Sequence, residues 1–303
     1  MSEPTTPFGG DYRSDHPEAA HGGEAPRPDG SEPRPLRDAS QTLTVRELFE
    51  AGVHFGHQTK RWNPKMRPYI YGSRSGIHII DLDQTARLFK RAADFLTETV
   101  ARGGHVLFVG TKRQAAEIVE EEARRSEQFF VTNRWLGGTL TNFRTMKGGL
   151  ERLRTLERMA EDGTYGQLPK KETVRLDKER ARLEKYIGGL KGMGSVPQAV
   201  FVIDPSQESI AVAEARRLHV PIVAITDTNC DPDQVNYLIP GNDDAIRSIR
   251  LITSAVADAC IWGMARRHDH VPAREREGSG PGPARAQPEA TVIYQSARRS
   301  PSS

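Results

Sequence analysis

The residues of this chain whose types and spacing could do chemistry are strand-end aspartates and a histidine pair. Asp204 closes the apolar run QAVFVID, Asp227 closes PIVAITD, and Asp231 and Asp233 follow in TDTNCDPD. Carboxylates meeting at neighbouring strand ends can bind magnesium or accept a phosphoryl group. Asp, Asn and Pro in such a loop also make Asx turns and helix caps, and this second reading is favoured because no activating lysine or acidic pair stands out beside them. His54 and His57 in VHFGHQT have a His-x-x-His spacing that could place two imidazoles on one ion, but no Cys pair or Glu has ligand spacing nearby, so no metal site is expected. Gly110-Thr111-Lys112 follows the apolar run HVLFVG without the GxGxxG or P-loop glycines that cradle phosphates. No GxSxG, HExxH or Cys/His nucleophile pattern occurs either. The residues thus predict no catalytic group, no cofactor and no small-molecule substrate; the chain is not expected to be an enzyme.

A different chemistry is written in two acid-free stretches. From residue 51 to 80, Lys60, Arg61, Lys65, Arg67 and Arg74 are interleaved with Phe55, Trp62, Tyr69 and Tyr71, with no carboxylate between them. From 128 to 150 the run NRWLGGTLTNFRTMKGG carries Asn133, Arg134, Trp135, Asn142, Arg144 and Lys147 around Gly137-Gly138, a pair that permits close backbone approach. Cations attract phosphates, and aromatic rings and guanidinium planes stack on unpaired bases, so both stretches predict an RNA-binding surface. Trp62 and Trp135 are expected to be core aromatics rather than stacking platforms. Residues 144–191 add thirteen Lys or Arg against eight acids.

The elements that must position these groups follow from periodicity. Thr44 and Glu47 form a capping box for a short helix in LTVRELFEAG. IHIID, HVLFVG, FFVT, QAVFVID and PIVAITD read as strands, four of them following a helix. Ala86, Phe89, Ala93, Leu96 and Val100 give a helix closed by Gly103, KRQAAEIVEEEARR gives another, SQESIAVAEARRLH one capped by Ser206, and a long last helix starts at Gly241 or Asn242 with Asp243 and Asp244 near its positive end. Almost wholly apolar strands separated by helices indicate a doubly wound α/β fold with a parallel sheet. Residues 144–191 interrupt it: Met146, Leu150 and Leu153, then Leu176, Leu183, Ile187 and Leu190, follow the three- and four-residue steps of an inserted antiparallel coiled-coil helical hairpin. The sheet domain is placed at 42–143 and 192–268.

With 303 residues, the chain can bury a sizeable core. Mean hydropathy is −0.60, and apolar runs of six or seven residues fall far short of the roughly 20 that span a bilayer, so no membrane association is expected. The N-terminus has acids and no apolar h-region, unlike a secretory signal. Two cysteines, Cys230 and Cys260, make no disulfide framework and fit the cytoplasm. Net charge is +3, but residues 1–40 hold four Arg against eight acids. Twelve of the twenty prolines fall in 1–40 and 271–303. Residues 1–41 are therefore expected to be a disordered acidic extension and 269–303 a disordered tail.

The blocks LFEAGVHFGHQTKRWNPKMRPYIYGSRSGIHIIDLDQT, FVGTKRQAAEIVEEEA, NRWLGGTLTNF, FVIDPSQESIAVAEARRLHVPIVAITDTNCDP and IPGNDDAIRSIRLI, in this order over about 42–263, closely resemble the bacterial ribosomal protein S-two family of the small subunit. The resemblance implies a flavodoxin-like parallel sheet with an inserted helical hairpin. It further implies a non-enzymatic role in translation, binding small-subunit ribosomal RNA between head and body and helping to hold the neighbouring OB-repeat protein S-one. Carried over by position, the RNA-facing residues would be His54, His57, Lys60, Arg61, Trp62, Asn63, Lys65, Arg67, Arg134 and Asn142, with Arg74, Arg144 and Lys147 joining them from the basic stretches. The sequence departs from the family at Leu238, where a proline is usual, and at Asn236, where an acid is common; the segment is read as a loop.

Overall fold

The computed structural model describes Leu36 and residues 43–270, the last three by backbone alone. Apart from Leu36 and the segment's final residues before 271, the two expected disordered ends lie outside the described residues. In chain order the elements are α1 (Val45–Glu50), β1 (Phe55–Gln58), β2 (Ile70–Arg74), β3 (Ile77–Ile80), α2 (Leu82–Ala101), β4 (Val106–Val109), α3 (Arg113–Arg125), β5 (Phe129–Val131), α4 (Phe143–Glu161), α5 (Lys170–Ile187), β6 (Ala199–Ile203), α6 (Ser209–Arg217), β7 (Ile222–Thr226), β8 (Tyr237–Pro240) and α7 (Ile246–His270).

Five of the strands form a parallel sheet in the order β5-β4-β6-β7-β8. Counted from β4 this is 2-1-3-4-5, the flavodoxin-like order. Alternate side chains enter opposite faces, as a pleated strand requires. Val106, Phe108, Ala199, Phe201, Ile203, Val223 and Ile225 pack with Leu96, Ile118, Ile252 and Val256 from α2, α3 and α7. Leu107, Val109, Val200, Val202, Ile222 and Ala224 pack on the other side with Val212, Leu150, Leu153 and Ile187 from α6, α4 and α5. Both faces are covered, which explains why these strands are apolar throughout.

Three expectations change. IHIID is a strand, but it belongs to a separate three-stranded antiparallel sheet, β1-β3-β2. Ser75 and Gly76, both at positive φ, make the two-residue turn that reverses YIYGSR into IHII, which forces antiparallel pairing. Tyr237–Pro240, read as a loop, is the edge strand β8: the Asn236 side chain accepts the Ile222 amide at 2.9 Å, the Asn236 amide donates to the Ile222 carbonyl at 3.0 Å, and Leu238 can complete the ladder where a proline could not. Ser206 does not cap α6; Asp204 accepts the Ser206 and Gln207 amides at 3.0 and 3.2 Å, and the helix begins at Ser209. The Thr44–Glu47 capping box and the Gly103 helix stop form as expected, with Gly104 donating to the Thr99 carbonyl beyond the left-handed Gly103.

The helices α4 and α5 pack together, and Arg152 reaches Glu179 across them at 2.9 Å. Leu150, Leu153, Leu156, Ile187 and Leu190 are buried, whereas Leu176 and Leu183 are only partly so. The ends of the two helices nearest the sheet are therefore built into its second core.

Candidate nucleic-acid interface

Both basic stretches emerge at the carboxyl end of the parallel sheet. The first is tied there by the loop after β7: the His57 amide donates to Asp227 Oδ1 at 3.1 Å and Thr228 Oγ1 at 3.0 Å, and the Asn63 amide donates to the Thr228 carbonyl at 2.8 Å. Gly56 is required for this approach, since a Cβ there would lie 2.7 Å from Thr228 Cγ2. The second stretch leaves the end of β5. Those two strands stand three sheet spacings apart, about 14 Å at about 4.8 Å each.

The second stretch is held from inside by one carboxylate. Glu214 of α6 accepts the Trp135 indole N–H at 3.1 Å and the backbone N–H groups of Gly138, Leu140 and Thr141 at 2.7, 2.9 and 3.0 Å. Burial opposes its ionisation, but these donors outweigh burial and keep its pKa below the ordinary range. Trp135 is accordingly a core residue, only 6% exposed. Trp62 is half-buried, its ring 5.0 Å from that of His78.

The predicted RNA-facing residues separate into distinct environments. Lys60, Arg61, Arg67, Arg74, Arg134, Arg144 and Lys147 are exposed, and no carboxylate among the described residues pairs with any of them. Lys147 lies over the Phe143 ring at 5.7 Å. Lys65 is exposed but already neutralised, with Nζ 3.1 Å from Asp231 and 2.6 Å from Asp233. Asn63 accepts the Lys65 amide and caps the turn that follows, while exposed Asn142 precedes α4 and accepts the Thr145 hydroxyl at 2.9 Å. His54 does not present its ring to the surface as expected: the side chain is buried, stacked on Phe49 at 4.5 Å and packed on Phe55, two rings that are themselves exposed, and burial lowers its pKa.

His57 belongs to a polar cluster beneath the interface. Its Nδ1 lies 2.8 Å from Asp227 Oδ2, and that hydrogen bond raises its pKa against the opposing effect of burial. Lys112, at the end of GTK, is 9% exposed, and its Nζ lies 2.7, 2.7 and 2.8 Å from Asp204, Asp243 and Asp244. Of the strand-end aspartates, Asp204 thus has a lysine partner that the sequence did not disclose, whereas Asp227 pairs with His57. Asp231 is not one of them; it pairs with Lys65, and Asp243 occupies the cluster in its place, its pKa pushed up to about 7 by burial and by the charges of Asp204 and Asp227. One-atom donors from His57, Asp227 and Asp243 fall within 4.8 Å of one another, as do those of Asp204, Cys230 and Asp243. The first set could hold a divalent cation. Lys112, Asp243 and Glu214 were missed because their partners lie on other elements; the only local trace of Lys112 is its place just after an apolar strand.

Among the described residues no helix is long and apolar enough to cross a membrane. Residues 48–263 match the family model described as Ribosomal protein S2. A protein of Sorangium cellulosum, small ribosomal subunit protein uS2, is 72% identical over 256 residues, covering 84% of this chain and 91% of its own length. The uS2 proteins of Solidesulfovibrio magneticus and Desulfovibrio desulfuricans are 57% and 58% identical, over 78% and 75% of this chain and 91% and 88% of theirs. With a model match across most of the folded residues and relatives this similar along nearly their whole length, the chain belongs to the ribosomal protein S2 family.

Proposed function

We propose that the chain is a structural constituent of the small ribosomal subunit in the cytoplasm, that it binds ribosomal RNA between head and body, and that it helps to anchor the neighbouring protein S-one. It supports translation without catalysing a reaction. The observation that carries this reading is the set of exposed cations Lys60, Arg61, Arg67, Arg74, Arg134, Arg144 and Lys147, paired with no carboxylate among the described residues and presented by turns, the end of β2, the loop after β5 and the start of α4. Such an arrangement favours a phosphate backbone by charge and shape rather than by base sequence. Trp62, Asn63, Asn142, His57 and Lys65 serve it chiefly by shaping and holding the loops. Residues 144–191 act as an antiparallel coiled-coil insertion that extends the basic surface away from the sheet domain of 42–143 and 192–268.

Sedimentation of a cell lysate on a sucrose gradient tests the reading. The chain should follow free small subunits and whole ribosomes in near-stoichiometric amount; recovery only as free protein at the top would overturn it. Subunits depleted of this chain should lose S-one while keeping their RNA, and full retention of S-one would remove the anchoring role.

A further inference from the structure

A cavity of about 590 Å³ opens where the sheet order reverses, between the loop after β4, the loop after β5 and the start of α6. In an open parallel sheet this is the place where the connections diverge to opposite faces and leave a crevice. Its size suits a nucleotide-sized ligand. The lining includes three exposed cations, Arg113, Arg134 and Lys185, none of which pairs with a carboxylate among the described residues. The acid in the wall, Glu208, is buried and engaged, accepting the Thr111 amide at 2.8 Å and the Thr111 hydroxyl at 2.5 Å, and burial raises its pKa. Three exposed cations therefore face the cavity, while the one acid in its wall is turned to Thr111. Tyr186 adds a half-buried aromatic wall, with Lys185 Nζ 5.9 Å from its ring centre. The side-chain amide of Asn133 donates to the Lys185 carbonyl at 2.8 Å, so the loop after β5 and the end of α5 are held together across this side.

We infer that this cavity binds an unpaired nucleotide, its phosphate on Arg113, Arg134 and Lys185 and its base against Tyr186. The chemistry pairs phosphate attraction with aromatic stacking, the combination used to hold single-stranded nucleic acid. The site rests on the RNA-binding reading and deepens it: it shares Arg134 with the main cationic set, while Arg113, Lys185 and Tyr186 lie outside that set. The nucleotide could belong to a single-stranded RNA segment or be a free nucleoside triphosphate.

The test uses the full chain and a fluorescently labelled single-stranded hexaribonucleotide, read by anisotropy, with ATP and GTP as competitors. Arg113→Gln combined with Lys185→Gln should weaken binding at least about tenfold and lower the salt slope by about 0.7 for each phosphate left unneutralised. Tyr186→Leu should weaken it with little change of slope. Efficient competition by ATP or GTP identifies a free nucleotide as the ligand; competition only by unlabelled oligomer identifies an RNA strand. Equal hexanucleotide affinity in wild type and the double variant, or no binding by wild type at millimolar ligand, would overturn the site. Because binding of duplex-containing small-subunit RNA through Lys60, Arg61, Arg67 and Arg74 should persist in the double variant, failure of this site is distinguishable from failure of the RNA reading.

Discussion

The carboxylate of Glu214 and the indole of Trp135 are joined by a 3.1 Å hydrogen bond that ties α6 to the loop carrying Arg134 and Asn142. The same carboxylate takes three backbone N–H groups of that loop, so one buried charge organises its path from residue 135 to 141. Glu214→Gln removes the charge and turns one accepting oxygen into a donor facing N–H groups. It should cost about 1–3 kcal/mol, seen as a lower urea midpoint and altered tryptophan emission. An unchanged midpoint and spectrum would show that the loop holds itself.

The same residue gives a pH dependence. Its folded pKa is depressed, so the stability it contributes is fully present above the unfolded carboxylate value of 4.5 and is lost as pH falls through the folded value. Wild type should lose stability in this acid window faster than Glu214→Gln. Parallel acid denaturation curves for the two proteins would contradict the assignment.

Lys112 is the positive centre of a buried acidic group, contacting Asp204, Asp243 and Asp244. Lys112→Met keeps the volume but leaves those carboxylates uncompensated, and should cost about 3–5 kcal/mol in chemical denaturation. A loss below about 1 kcal/mol would mean that the carboxylates are neutralised by protons or cations instead.

The paired state of Lys65 separates it from its neighbours. Replacing Lys60, Arg61 and Arg67 together by Gln should weaken RNA binding and reduce the salt slope by about 0.7–0.9 for each phosphate left unneutralised. Adding Lys65→Gln should change the slope little, because Asp231 and Asp233 already hold that charge. Filter binding across a salt series decides; a full further decrement from Lys65 would mean that RNA displaces the two aspartates.

Gly56→Ala puts a Cβ 2.7 Å from Thr228 Cγ2 and 3.2 Å from Asp227 Oδ1, at the junction of the basic stretch with the sheet. Thermal unfolding should register a loss of about 1–3 kcal/mol. Gly72→Ala, which meets nothing within 4 Å, is the control and should stay within about 0.5 kcal/mol.

Local patterns carried much of the molecule. The apolar runs at 106–109, 199–203 and 222–226 identified buried parallel strands because both of their faces are covered, and Thr44 with Glu47 identified a helix start because a capping box is complete within four residues. Charge distribution likewise marked the basic loops, since the absence of acids is a property of the chain itself. Tertiary structure decided what depends on distant partners. It moved IHII out of the parallel sheet, made a strand of Tyr237–Pro240 through its ladder with β7, buried His54 between two phenylalanines, and matched Lys65 with Asp231 and Asp233. It also assembled Lys112 with acids 92 to 132 residues away, and Glu214 with a loop more than 70 residues before it. Periodicity and composition report the environment a residue demands; which groups meet that demand is set by the crossovers that bring separate strand ends to one edge of the sheet.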